Sequence, residues 1–244
     1  MPTELQFQAI ALLKQEVDLA KRTKGVPLAP SFLKSTVPDE PPALARLLGA
    51  GRGGEVRLKL FLTFALRAAR GRPILTARRP PGLARMLALP SDTGPRRVAD
   101  AMRWLRSNRF IQVQPRVGQA GEITLLDGGD PPSDLSGRDR HGHYVSVPIE
   151  LWTSGHILEM KAREVAVFIA IRDITSNSLH EGSLTGYRKA QYGISDDTWT
   201  RALKELRERN LVDYRTEVDE GDDRMPRKRQ IYSRVPSTNW EKLP

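Results

Sequence analysis

The chain has 244 residues, 39% of them apolar, a net charge of +10 and no cysteine. That length allows two domains of about 100 residues each, and the missing cysteines exclude disulfides, thiolate metal sites and cysteine nucleophiles. Mean hydropathy is −0.45. The longest apolar run, residues 58–69, is broken by Lys59 and Arg67 and falls short of the roughly 20 residues a membrane span needs. The opening MPTELQFQ lacks the basic-then-apolar pattern of a signal peptide, so a cytoplasmic location is expected.

The predicted elements begin with an amphipathic helix over residues 3–24. Leu5, Ala9, Leu12, Glu16 and Leu19 recur near heptad spacing; with Glu16 in the seam, the segment reads as a docking helix or a tail. In residues 25–54, Pro27, Pro30, Pro38, Pro41 and Pro42 forbid a long helix. A short one is expected at residues 44–48, ended by Gly49. A longer helix starts at Val56, with Leu60, Phe64 and Ala68 on its face and Leu58, Leu62 and Leu66 widening it. Helices over residues 82–88 and 95–108 follow, and FIQVQP and EITLLD close this unit as a hairpin. The breaker-rich LDGGDPPSDLSGRDRHGH, residues 126–143, reads as a linker. After the short β run YVSVP the order returns: helices over residues 165–174, 185–191 and 196–209, then a hairpin of LVDYRTEV and RQIYSRV.

The two units share landmarks at constant offsets. Glu55-Val56 and Glu164-Val165 lie 109 residues apart, as do Leu75-Thr76 and Leu184-Thr185. Eight extra residues in the first copy then change the offset to 101, at which Val98, Ala101, Met102, Leu105 and Phe110 match Trp199, Ala202, Leu203, Leu206 and Leu211. This is a two-fold internal duplication. Each copy ends in the same way. In the second, Ser195 can cap a helix, Asp196 and Asp197 suit its first turn, Trp199, Ala202, Leu203 and Leu206 form a buried stripe, and Asn210 can stop it. Leu211 and Val212 then start a strand that packs straight back. The first copy repeats this with Ser91, Pro95, Val98, Ala101, Leu105, Asn108 and Phe110.

Charge separates the copies. Residues 1–54 carry 7 basic and 5 acidic side chains, residues 55–126 carry 14 and 4, residues 127–143 carry 2 and 4, and residues 144–244 carry 16 and 16. The whole excess therefore lies in the first copy, where it suits a polyanionic partner.

The phrases VRLKLFLTFALRAA, RRVADAMRWLRSNRFIQV, VPIELWTSGHI and YGISDDTWTRALKELRERNLV resemble the winged helix-turn-helix superfamily, and the chain is similar to actinobacterial proteins with paired winged helices. The resemblance covers about residues 55–126 and 144–236. It implies an α+β, mainly α fold of two tandem winged-helix domains: an N-terminal helix (1–24), a first domain (25–126, core 55–126), a linker (127–143), a second domain (144–236) and a tail (237–244). It also implies double-stranded DNA binding, a nucleoid-associated location and a homodimer.

A recognition helix offers its outward face to the major groove. In the first copy that face holds Arg96, Arg97, Asp100 and Arg103, with Arg106 nearer the end. Base contact is expected of Arg97 and Arg103, and phosphate contact of Arg96. Arg78, Arg79, Arg85 and Arg116 are candidate backbone clamps. In the second copy the outward set is Thr198, Thr200, Arg201 and Lys204, with Arg227, Lys228 and Arg229 in the wing; there the acidic EVDEGDD can instead neutralise the basic RMPRKR. No Walker loop or dinucleotide glycine fingerprint is present, no cofactor or metal is expected, and Trp104 and Trp199 read as packing residues. The expected role is a transcriptional regulator, a repressor, rather than an enzyme. The alternatives are a plasmid or phage replication initiator and a protein-interaction subunit of a larger complex.

Overall fold

The computed structural model describes the chain apart from residues 1–2, 24, 36, 38–39, 50–52, 69–73, 76–78, 117–118, 129–143, 177–179, 185–188, 220–226 and 241–244. The architecture is α+β and mainly helical, and the described strands form three small antiparallel sheets.

Helix α1 (Glu4–Ala20) opens with a reciprocal cap: Thr3 N–H donates to Gln6 Oε1 (2.7 Å), and Gln6 N–H donates to Thr3 Oγ1 (3.3 Å). Its buried face is Ala9, Ile10, Leu13, Glu16 and Val17, while Leu5 (44%) and Leu19 (62%) remain exposed. The contact follows the 3.6-residue period of a helix on a globular core instead of a heptad seam, so Ile10, Leu13 and Val17 replace the two outer leucines. Glu16 is buried because Arg67 Nη1 pairs with it at 3.0 Å. Just beyond α1, the Arg22 guanidinium donates to the carbonyls of Leu66 (2.7 Å), Ala65 (3.2 Å) and Ala68. It thereby satisfies the open C-terminal end of α4.

The proline-rich stretch holds strand β1 (Val26–Leu28) and the short helices α2 (Pro30–Leu33) and α3 (Ala43–Leu48). Gly49 ends α3, as expected. Helix α4 (Gly54–Arg67) is the hub of the first half, with every residue but Glu55 and Arg67 buried. Strand β2 (Ile74–Leu75), α5 (Pro80–Met86), α6 (Gly94–Ser107), β3 (Ile111–Arg116) and β4 (Gln119–Leu125) follow, in a sheet ordered β2-β4-β3.

The second half runs β5 (Val145–Val147), α7 (Glu150–Thr153), α8 (His156–Glu159), α9 (Ala162–Ile174), β6 (Glu181–Ser183), α10 (Asp196–Glu208), β7 (Val212–Asp219) and β8 (Arg227–Arg234). Its sheet is ordered β6-β8-β7, the same arrangement as in the first half. Most of the helix expected over residues 185–191 lies outside the described residues; Lys189 and Ala190 are helical. Most of the expected linker also lies outside them. The short strands β1, β2 and β6 were not anticipated.

The halves are not side by side with separate cores. β1 pairs antiparallel with β5, centred on Pro27 opposite Ser146, with Val26 opposite Val147 and Leu28 opposite Val145. An antiparallel pair of equivalent strands is what a local two-fold axis generates. The segments after these strands cross over. Ser35 N–H donates to Gln191 O (2.9 Å), Lys34 pairs with the buried Asp173 (3.0 Å), and Tyr192 Oη donates to the same carboxylate (2.6 Å). In the other direction, Trp152 on α7 donates to Thr63 Oγ1 on α4 (3.3 Å), and Lys59 donates to Leu158 O on α8 (2.9 Å). One apolar core runs through both halves, from Leu13 to Trp240.

Candidate nucleic-acid interface

Helix α6 forms because Val98, Ala101 and Leu105 recur at helical spacing, and all three are buried. Its first residue, Gly94, permits close approach to α5: a Cβ there would stand 2.8 Å from Leu89 Cβ and 3.1 Å from Ala84 Cβ. Ser91 does not cap the helix. The N-cap is Thr93, without a side-chain bond, because residues 90–93 form an extra turn in which Gly94 N–H donates to Pro90 O (2.7 Å). At the other end Arg109 takes the left-handed conformation (φ 58), one residue beyond the expected Asn108. Its counterpart at offset 101 is Asn210 (φ 55), which stops α10 as expected. Phe110 N–H then donates to Leu105 O (2.8 Å), turning the chain into β3.

The buried stripe leaves Arg96, Asp100 and Arg103 on the opposite, outward face. The side chains of Arg96 and Arg103 are 89% and 75% exposed. Asp100 lies between them, 4.0 Å from Arg96 Nε and 2.8 Å from Arg103 Nη1. Arg106 is also exposed. Arg97 is exposed too but sits on the flank, beside a cleft that it shares with Glu55 and Lys59. Trp104 is held between the Arg57 guanidinium, 4.3 Å from its ring, and Phe110, stacked at 5.6 Å, which makes it a packing residue. Arg79 is the exposed N-cap of α5, and Arg85 is exposed later in that helix. Arg116 ends β3 opposite Gln119. Arg78 lies outside the described residues.

Helix α10 has the same frame, with Trp199, Ala202, Leu203 and Leu206 buried and Ser195 Oγ accepting from Thr198 N–H (3.3 Å). Its polar face is occupied differently. Arg201 chelates Asp197, with Nε 2.9 Å from Oδ1, and this bond holds the Asp197 carboxyl below its ordinary range and raises the guanidinium. Lys204 approaches Glu208 at 4.0 Å. Thr200 donates back to Asp196 O (2.8 Å), and Thr198 is half-buried beside Ser195. In the wing, Arg215 grips Glu181 (2.6 and 3.0 Å) and Glu217 (2.9 Å). The register sets Glu217 opposite Arg229, Val218 opposite Lys228 and Asp219 opposite Arg227, so the described ends of the acidic and basic arms pair strand to strand.

The contrast in charge follows from this inventory. Helix α6 carries four arginines against one aspartate, a net of +3; α10 carries three cations, Arg201, Lys204 and Arg207, against Asp196, Asp197, Glu205 and Glu208, a net of −1. Sequence reasoning missed two residues. Lys59 reads in the sequence only as a break in an apolar run, yet it is buried; its i,i+4 spacing from Glu55 is the one local signal, while Leu158 reaches it only through the fold. Asp100 was placed on the outward face, but its position between two arginines becomes visible only at the level of side-chain contacts.

Among the described residues, no group of three side chains could hold a metal ion, and no helix is long and apolar enough to cross a membrane. His141 and His143 lie outside them. No protein-family model, curated protein or solved structure matches the chain.

Proposed function

We propose that the chain is a sequence-specific double-stranded DNA-binding protein, a transcriptional repressor, whose halves are two tandem winged-helix units. In this reading α6 enters the major groove and the β3–β4 hairpin lies along the backbone. The observation that carries it is the outward face of α6: exposed arginines with one acid, set on a helix whose opposite face is locked into the core. Arginine reads guanine through two hydrogen bonds and also binds phosphate. The order of three helices and a hairpin in the first half supports the same assignment, and in the second half α9, α10 and the β7–β8 hairpin take the corresponding places. As a repressor the protein would act as a homodimer, each copy contributing one basic helix.

The test is titration of a labelled duplex with the full chain over a range of salt, followed by selection of bound sequences from a random pool. The affinity should fall steeply with salt, and Arg103→Ala should change the selected sequence. No binding at low salt would remove this reading. The paired charges of α10 favour a protein-contacting role for the second half. A replication initiator shares the same DNA chemistry, and a genome-wide map of bound sites separates the two: a promoter near its own gene for a repressor, repeated sites at an origin for an initiator.

A further inference from the structure

The duplication supplies an internal control for one cavity. In the second half, the turn before α10 is packed tightly by α3: a Cβ on Gly193 would stand 2.7 Å from Ala45 Cβ and 3.1 Å from Pro42 Cδ. The equivalent turn of the first half, residues 87–90, faces α8 across an open cleft of about 260 Å³. The left-handed residue of this turn is Ala88 (φ 51), where the second half has Gly193 (φ 62). A residue with a Cβ is strained there. The cleft is also lined by Thr3, Gln6, Glu55, Lys59, Arg97 and Leu158, so it touches α1, α4, α6 and α8.

Two cations, Lys59 and Arg97, and the Glu55 carboxylate line this cleft. Lys59 is 4% exposed. Its ammonium donates to Glu55 Oε1 (2.8 Å) and to Leu158 O (2.9 Å), which engages two of its three donors. Burial lowers its pKa, Glu55 and then the charge of Glu164 work against that, and the charge of Arg97 adds a smaller lowering. The third ammonium donor and the exposed Arg97 fork at the edge of the cleft are the groups an anion there would meet, and its charge would offset the repulsion between them.

We propose that this cleft binds a small oxyanion, a carboxylate or a phosphate monoester, held by Lys59 Nζ and the Arg97 guanidinium. The guanidinium fork matches either oxyanion with two parallel hydrogen bonds. Because Arg97 lies on α6, the coupling half of this proposal rests on the DNA-binding reading: an anion that draws Arg97 into the cleft removes it from the duplex, so the ligand acts as an inducer.

The experiment is calorimetry on the full chain with succinate and, separately, inorganic phosphate, at constant ionic strength against chloride. Saturable one-site binding of at least one probe is expected, and which one binds identifies the oxyanion class. It should weaken tenfold or more in Lys59→Met and in Leu158→Trp, the second of which fills the cleft without changing charge. Thermal melting of each variant confirms that it folds. No saturable heat from either probe up to tens of millimolar overturns the site, as does undiminished binding by both variants. A second titration measures duplex affinity with the cleft saturated. A several-fold loss is expected, and unchanged affinity overturns the coupling. If the chain binds no duplex at all, the repressor reading fails while calorimetry still decides the site.

Discussion

Asp100 offers the most direct test of the α6 face. It lies 2.8 Å from Arg103 Nη1 and 4.0 Å from Arg96 Nε, so it holds the two arginines that would otherwise be free for a duplex. Asp100→Asn keeps the shape and removes the charge. Exposed ion pairs are worth about 0.2–1 kcal/mol each; the Arg96 contact belongs at the low end and the hydrogen-bonded Arg103 contact near the high end. Releasing both, and removing a carboxylate from a surface facing phosphates, should tighten duplex binding by about 1 kcal/mol, roughly five-fold. The same substitution should cost folding stability no more than about 1 kcal/mol, since both pairs are exposed. Arg103→Ala should act oppositely, losing about 1–3 kcal/mol of affinity at its cognate base. Fluorescence anisotropy at several salt concentrations reads both effects, and urea unfolding reads the stability. Unchanged or weaker binding by Asp100→Asn, together with a neutral Arg103→Ala, would show that this face of α6 does not meet the duplex.

Three further outcomes follow from the packing. Gly193→Ala combines a positive φ (62) with a Cβ placed 2.7 Å from Ala45; it should destabilise the chain by about 1–3 kcal/mol in urea unfolding, whereas an ordinary surface substitution would not. Lys34→Met takes a cation from the Asp173 carboxylate, 3% exposed, to which Tyr192 still donates; a loss of about 1–3 kcal/mol is expected, less than for a fully buried pair because Lys34 is 35% exposed. Lys59 has a lowered pKa, so below its ordinary value of 10.5 the unfolded chain binds this proton more tightly than the native one. Its destabilising contribution is therefore fully present below the native pKa and fades as pH rises from there toward 10.5. Relative to Lys59→Met, the wild-type chain should gain stability as pH rises from neutral toward 10.5, and a flat difference over the whole range would contradict the lowered pKa.

The local frame was legible because periodicity encodes it. Val98, Ala101 and Leu105, like Trp199, Ala202 and Leu206, are buried where their spacing places them. Asn210 stops α10 because its side chain tolerates a left-handed backbone, yet Arg109 does the same work in α6 with no sequence signal. The cap of α6 was misplaced for a related reason: Ser91 is a good capping residue, but the close approach at Gly94 draws the chain through another turn first. The pairing of β1 with β5 was not legible at all. β5 lies in the expected β run YVSVP, but β1, three residues centred on Pro27, carries too little alternation to register as a strand, and the register of the pair depends on contacts about 119 residues apart in the chain. Lys59 illustrates the same limit for the site. A lysine inside an apolar helix looks like an interruption; Glu55 stands one turn before it on the same helix, but Leu158 and Arg97 come to it only with the fold.

The crossed connections change how the two copies should be compared. Had each half been closed on itself, an isolated second half would have been a fair test of its share of binding. Here α3 packs against Gly193, Lys34 neutralises Asp173, and Trp152 bonds to Thr63, so cutting the chain removes core as well as surface. The comparison belongs to point variants in the full chain. On that footing the copies have diverged where packing does not constrain them. Their buried positions coincide at offset 101, while the outward face of α6 keeps a positive excess and that of α10 balances its own charges through Arg201–Asp197 and Lys204–Glu208. Arg103 and Arg96 share the single carboxylate of Asp100, whereas Arg201 and Lys204 each keep a carboxylate of their own, and a cation that must give up its own partner has less to offer a phosphate. Arg201→Ala should thus weaken duplex binding less than Arg103→Ala. Equal losses in anisotropy would mean that α10 gives up its internal pairs on binding, and that the two halves share the duplex evenly.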